Sequence, residues 1–228
     1  MFWATRLRQL DKRSEIVHDL GTPKIHNKEA NQMSSMQYGN SFIPASDEQL
    51  QKNTVGEIKP HNATITIVEY DPQWPVLFEQ TANQVRSALG SKALQVEHVG
   101  STSVPGLCAK PIIDMLLAVL DSADEPSFVP ALEAAGFTLR IREPEWFEHR
   151  MFKGPDIDIN LHVFSAGASE VERMLCFRDW LRANEIDRDN YARVKRSLAQ
   201  HVWRYVQNYA DAKTFIVQEI MDRAKAAE

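Results

Sequence analysis

Regular apolar patterning begins near residue 63, and little of it precedes that point. Ile65-Thr66-Ile67-Val68-Glu69-Tyr70 reads as a strand. Asp71-Pro72-Gln73-Trp74-Pro75 is a turn that can open a helix. Val76, Leu77, Phe78, Ala82, Val85 and Leu89 then form an apolar stripe at helical spacing, closed by Gly90. Strands are predicted over 94–99 and 111–120, and the second is apolar on both faces, as a buried strand must be. A helix over 127–135 stops at Gly136. Strands over 137–142 and 146–152 flank the turn Glu143-Pro144-Glu145. The segment 156–163 alternates cleanly, with Asp156, Asp158, Asn160 and His162 on one face and Ile157, Ile159, Leu161 and Val163 on the other. Helices are predicted over 168–184, 188–205 and 208–226. Mixed strands and helices followed by a helical tail make an α/β (α+β) domain.

The first 62 residues are different in kind. Segments 27–40 and 46–61 are rich in Asn, Gln, Ser, Lys and Glu, so 1–62 reads as a flexible extension with a short helix near 48–52, and 63–228 as the folded domain. Arg6, Arg8, Lys12 and Arg13 oppose only Asp11, a pattern read as a solvated basic tail in preference to a mitochondrial leader. A net charge of -5 argues against a nucleic-acid partner, so an anionic ligand must be held by local cations. No apolar run reaches the roughly 18 to 20 residues that span a bilayer. Cys108 and Cys176 form no CxxC pair, which argues against a zinc knuckle or a disulfide framework and for a reducing, cytoplasmic setting.

Chemistry concentrates in 98–114, His-Val-Gly-Ser-Thr-Ser-Val-Pro-Gly-Leu-Cys-Ala-Lys-Pro-Ile-Ile-Asp. Asp114 sits alone among Ile112, Ile113, Met115, Leu116 and Leu117, where a carboxylate costs several kcal/mol unless it is paired or bound to a cation. The turn from Gly100 through Ser101, Thr102 and Ser103 offers backbone N–H groups and hydroxyls to an anion. It is not a Walker A loop, because Leu107 rather than a lysine follows Gly106. Lys110 is a candidate phosphate contact. The row Asp158, Asn160, His162 suits a hard cation and an anionic ligand together. Arg150, Lys153, Arg178, and Lys195 with Tyr191 one helical turn earlier are further candidates to face an anion. Trp180, Trp203, Tyr205, Tyr209 and Phe215 read as helix packing, and Cys108 as a small apolar residue.

These residues also carry a resemblance. The runs 68–75, 97–106 and 110–114, with Asn160-Leu161-His162-Val163-Phe164, Phe177-Arg178-Asp179-Trp180-Leu181 and the Tyr191…Lys195 spacing, closely resemble the GrpB family over about 66–224. The resemblance implies a nucleotidyltransferase-superfamily fold with a polymerase-β-like core. It implies that Gly100 and Ser101 form the signature turn, that Asp114 is the first carboxylate and that Asp158 or its neighbour Asn160 fills the third position; in a transferase, Asp114 and Asp158 would hold magnesium and His162 would assist proton movement or contact phosphate. The second carboxylate of that signature should fall at 116, where this chain has Leu116. Two readings follow: a metal-dependent nucleotidyl or phosphoryl transferase acting on a small molecule, or a non-catalytic module that binds a nucleotide, coenzyme A or another metabolite.

Overall fold

The computed structural model describes residues 45–227. Its elements are α1 (Asp47–Asn53), α2 (Trp74–Leu89), β1 (Gln95–Val99), β2 (Ile113–Val119), α3 (Val129–Ala134), β3 (Thr138–Glu143), β4 (His149–Lys153), β5 (Ile159–Ser165), α4 (Ser169–Ala183), α5 (Glu185–Ala199), α6 (Val206–Ala212) and α7 (Thr214–Ala226). The five strands form one mixed sheet in the order β1-β2-β5-β4-β3, in which only the β2–β5 pair is parallel.

Alternation divides the sheet into two unlike faces. Ile113, Met115, Leu117 and Val119 of β2 and Ile159, Leu161 and Val163 of β5 point to one side. There they form the main core with Phe78, Ala82 and Val85 of α2 and Leu132 of α3. The opposite face carries Asp114, Leu116, Asn160, His162 and Phe164. One end of it is closed by an apolar plug of Val99, Leu116, Trp146, Phe164 and Val171. The C-terminal helices build a separate core around Phe177, Leu181, Tyr191, Val217, Ile220 and Met221, which also takes in Val104, Leu107 and Cys108. The segment that connects β1 to β2 is thereby locked against the helical layer.

Most predicted elements fall within a few residues of the observed ones, with four corrections. Segment 65–70 forms no strand of the sheet; Val68 makes an isolated antiparallel bridge with Ala109. The strand predicted at 156–163 begins at Ile159, so Asp156 and Asp158 lie ahead of it. The last predicted helix is two, broken at Lys213, and α5 starts at Glu185. Finally, 45–62 is not loosely attached. Ser46 caps α1 with a capping box, Asn53 Nδ2 donates to Glu143 Oε1 (3.0 Å), and Val55 N donates to Arg140 O (2.7 Å) on edge strand β3. Expectations for residues 1–44 lie outside the described residues.

Candidate functional site: a lysine-lined cavity beside Asp114

Gly100 ends β1 in a conformation (φ 69°, ψ -170°) that is open essentially to glycine alone. The same residue has a steric duty, since a Cβ there would lie 2.5 Å from Asp114 Oδ2. The turn therefore folds directly onto the carboxylate. Its other groups are held from both sides. Ser103 Oγ donates to Gly100 O (2.6 Å), and Thr102 Oγ1 bonds His98 Nε2 (3.0 Å) and Ile112 O (3.3 Å). Arg182 reaches across from α4 to donate twice to Ser103 O (2.9 and 3.0 Å).

Asp114 is almost wholly buried, and parallel register sets it beside Asn160. Asn160 Nδ2 donates to Asp114 Oδ1 (2.7 Å). His162 Nε2 stands 3.7 Å from the same oxygen, an electrostatic contact too long for a hydrogen bond. Burial opposes charge on Asp114, yet the carboxyl is lowered to about 2, with the contact from His162 and the bond from Asn160 among the influences that favour the carboxylate. Burial likewise lowers His162 to about 3, so the imidazole is neutral near pH 7. Behind it a buried line of polar groups continues across the sheet. His162 Nδ1 meets His149 Nε2 (3.0 Å), and His149 Nδ1 meets Glu143 Oε2 (2.9 Å). The two rings share one proton between His149 Nε2 and His162 Nδ1, so the tautomer of each is tied to the other's and, through His149 Nδ1, to Glu143; an N–H at His162 Nε2 is the form that favours a carboxylate at Asp114.

In front of Asp114 lies a cavity of about 70 Å³ lined by Ser101, Thr102, Lys110, Asp114, Asn160, Lys195, Tyr209 and Lys213. α5 supplies Lys195, and the break between α6 and α7 supplies Lys213. Both are almost wholly buried. Lys195 Nζ donates to Cys108 O. Lys213 Nζ donates to Tyr209 O (3.2 Å) and lies 3.6 Å from the centroid of the Tyr209 ring. Burial lowers Lys195 to about 7 and Lys213 well below the ordinary lysine range, each pushed further by a neighbouring cation. Burial also lowers Lys110. Three amines against one carboxylate make a receptacle for negative charge.

The other expected site residues fall outside this cavity. Gly100 and Ser103 shape the turn, and His162 stands behind Asp114. Tyr191 is buried in the helical layer against Phe177. Asp158 is half-exposed and pairs with Lys153 (2.6 Å), so these two neutralise each other at the rim. Arg150 registers with Val163 on the helix-covered face and binds Glu125. Arg178 is occupied by Glu97 (2.8 Å), Asp179 (2.8 Å) and the His98 carbonyl (3.1 Å). Lys213 and Tyr209 join the cavity, whereas the sequence reading gave Tyr209 to helix packing. Their four-residue spacing placed them on one helix face, but the break that turns Lys213 inward has no Gly or Pro to announce it. Glu143 and His149 were also missed, because a turn Glu and an isolated His carry no pattern.

Among the described residues, no three His, Cys, Asp or Glu side chains converge where a metal ion could sit. The position of the absent second carboxylate explains part of this. Leu116 is fully buried in the plug with Trp146 and Phe164, where a metal ligand would have no solvent and no partner.

A five-stranded mixed sheet with a Gly-Ser turn folded onto an aspartate of the next strand defines an α+β protein with a nucleotidyltransferase-like core. Comparison with known proteins gives the family: the chain belongs to the GrpB family, whose model (GrpB protein) matches residues 64–223. The UPF0157 protein BH1888 of Halalkalibacterium halodurans is 71% identical over 194 residues, 85% of this chain and 100% of that protein. The GrpB crystal structure from Enterococcus faecalis matches with a TM-score of 0.63 at 31% identity, over 72% of this chain and 100% of that one. The dephospho-CoA kinase of Mycobacterium tuberculosis is 30% identical over 179 residues, 66% of this chain but only 44% of that protein. No described helix is long and apolar enough to cross a membrane.

Proposed function

We propose that the cavity beside Asp114 binds the phosphate groups of a small phosphorylated molecule, a nucleotide or a coenzyme-A-like compound. The observation that carries this is the gathering of Lys110, Lys195 and Lys213 with the Ser101 and Thr102 side of the turn around one small cavity. A protein of net charge -5 has no general attraction for anions, so three amines concentrated in one place are a local device. Hydroxyls beside ammonium groups match the many acceptor oxygens of a phosphate. The similarity to dephospho-CoA kinases makes coenzyme A and its precursors the first ligands to try.

The donor set does not fit a resident magnesium pair. Two-metal phosphoryl transfer needs several carboxylates around two cations. Here Asp114 already accepts from Asn160, Asp158 pairs with Lys153, Leu116 is part of a core, and three lysines share the space. Binding without magnesium follows. Nucleotidyl transfer is the second reading, favoured by the Gly100–Ser101 turn lying against Asp114 on the next strand.

A thermal-shift series with ATP, coenzyme A and pyrophosphate, each with magnesium and with EDTA, separates the two. Metal-free phosphate binding should give stabilisation in EDTA that Lys213→Met removes. Stabilisation confined to magnesium, together with pyrophosphate release from ATP that Asp114→Asn abolishes, would replace it by the transferase. No response to any phosphate compound would end both.

A further inference from the structure

The cavity is short of negative charge in a way that bears on how a ligand must enter. An ammonium group carries three N–H donors. Among the described residues, the acceptor of Lys195 is the Cys108 carbonyl, and that of Lys213 is the Tyr209 carbonyl. Among those residues, no carboxylate bonds either amine. Around Lys195 stand Cys108 from the β1–β2 connection, Asp114 from β2, Arg196 and Tyr191 from its own helix, and Lys213 from the α6–α7 junction. Around Lys213 stand Lys195, Lys110, Asp114, Asp211 and Tyr209. Asp211 is partly occupied, since it accepts from Ala45 N (3.3 Å) and Gln207 Nε2 (2.6 Å). Two buried amines thus share Asp114 with a third, and Asp114 already holds Asn160 and faces His162. An unpaired buried charge is expensive, and a buried group escapes that cost by giving up its proton.

We propose that phosphate capture here is coupled to proton uptake: the empty cavity keeps Lys195 and Lys213 at least partly as neutral amines, and an entering phosphate brings one proton from solvent onto them. This deepens the phosphate-binding reading and rests on it. The direction of the lysine shifts agrees, because burial and mutual repulsion both disfavour charge in the empty state and an anion reverses both. Two consequences follow. The cavity discriminates for ligands that bring multiple negative charges, because a neutral ligand cannot recharge the amines. It also releases its ligand as the solution becomes alkaline, over a range where ATP itself no longer titrates and surface lysines remain charged.

Calorimetric titration of the full chain with ATP in EDTA, at pH 8.5 in two buffers of different ionisation enthalpy, counts the protons. Coupled capture should show an uptake of about one proton per ATP, and hence affinity falling about tenfold from pH 8 to pH 9. Lys195→Met should reduce the uptake as well as the affinity. Binding with equal heats in both buffers and a flat affinity from pH 7 to 9 would overturn the coupling and leave phosphate binding standing. Failure of ATP to bind would remove the reading beneath it. A second measurement needs neither ligand nor variant. Carbon NMR of the lysine ε-methylenes in the free protein should reveal at least one lysine that titrates well below the others. All lysines titrating together near the ordinary value would refute the inference.

Discussion

Gly100→Ala tests whether the turn is built against Asp114. The substitution has two effects that add. The backbone at φ 69° and ψ -170° lies in a region nearly closed to residues with a Cβ, at about 1–3 kcal/mol. The new methyl would also stand 2.5 Å from Asp114 Oδ2 and 2.9 Å from Asp114 Cβ. Asp114 cannot swing aside freely, because Asn160 holds its other oxygen at 2.7 Å and β2 is buried along its length. Overpacking of this kind costs about 1–3 kcal/mol. The sum, about 2–6 kcal/mol, is a large part of the 5–15 kcal/mol typical of a domain. Urea unfolding of Gly100→Ala beside Gly106→Ala provides the comparison. Gly106 also has a positive φ (78°), but a Cβ there would meet nothing within 4 Å. Gly100→Ala should therefore be the less stable by about 1–3 kcal/mol and should lose ATP binding with it. Equal midpoints and intact binding would show that the turn does not press on the carboxylate.

Three further outcomes follow from the same geometry. Leu116→Asp restores a carboxylate where the superfamily signature has one, but it removes a side chain from the plug with Phe164 and Trp146; by urea unfolding it should be destabilised by at least about 2–5 kcal/mol, the usual loss for a core leucine, and show no gain in magnesium affinity by calorimetry. Glu143→Leu deprives His149 Nδ1 of its partner and Asn53 Nδ2 of its acceptor, at a cost of about 1–3 kcal/mol in urea unfolding; nitrogen NMR of His162 should show a changed tautomer balance, and an unchanged signal would break the proposed line. Stability should change with pH on two limbs. Asp114 titrates lower in the folded chain, so its contribution is present above the unfolded value near 4 and is lost as pH falls through that value toward 2; Asp114→Asn should flatten this acid limb. Lys195 is also lowered, so between about 7 and the ordinary lysine range the unfolded chain binds more protons and stability should rise with pH, a slope that Lys195→Met should reduce.

Periodicity made most of the fold legible. Met115, Leu117, Val119 and their neighbours in β5 announced buried central strands, and the stripe from Phe78 to Leu89 announced α2. Segment 65–70 misled, because alternation states that two faces differ but not that a partner strand is present; the neighbour of Val68 turned out to be Ala109 at a single bridge. The polar cluster at Asp114 was legible because a lone carboxylate in an apolar run needs a partner, and the shared face of Asn160 and His162 followed from alternation in β5. Asp158 did not, since a strand boundary off by three residues removes the alternation that would place it beside them. Arg150 and Arg178 show the limit for cations: their partners Glu125 and Glu97 are 25 and 81 residues away, so neither pairing has a local signal. The arm around Asn53 was misread for the same reason, because its contacts with Glu143 and Arg140 are long-range and mostly polar.

If three lysines beside Asp114 hold phosphate without a metal, calorimetric titration of ATP in EDTA should show saturable one-site binding to the native chain and none to Lys213→Met. Binding that survives in the variant, or that emerges only when magnesium replaces EDTA, would contradict it.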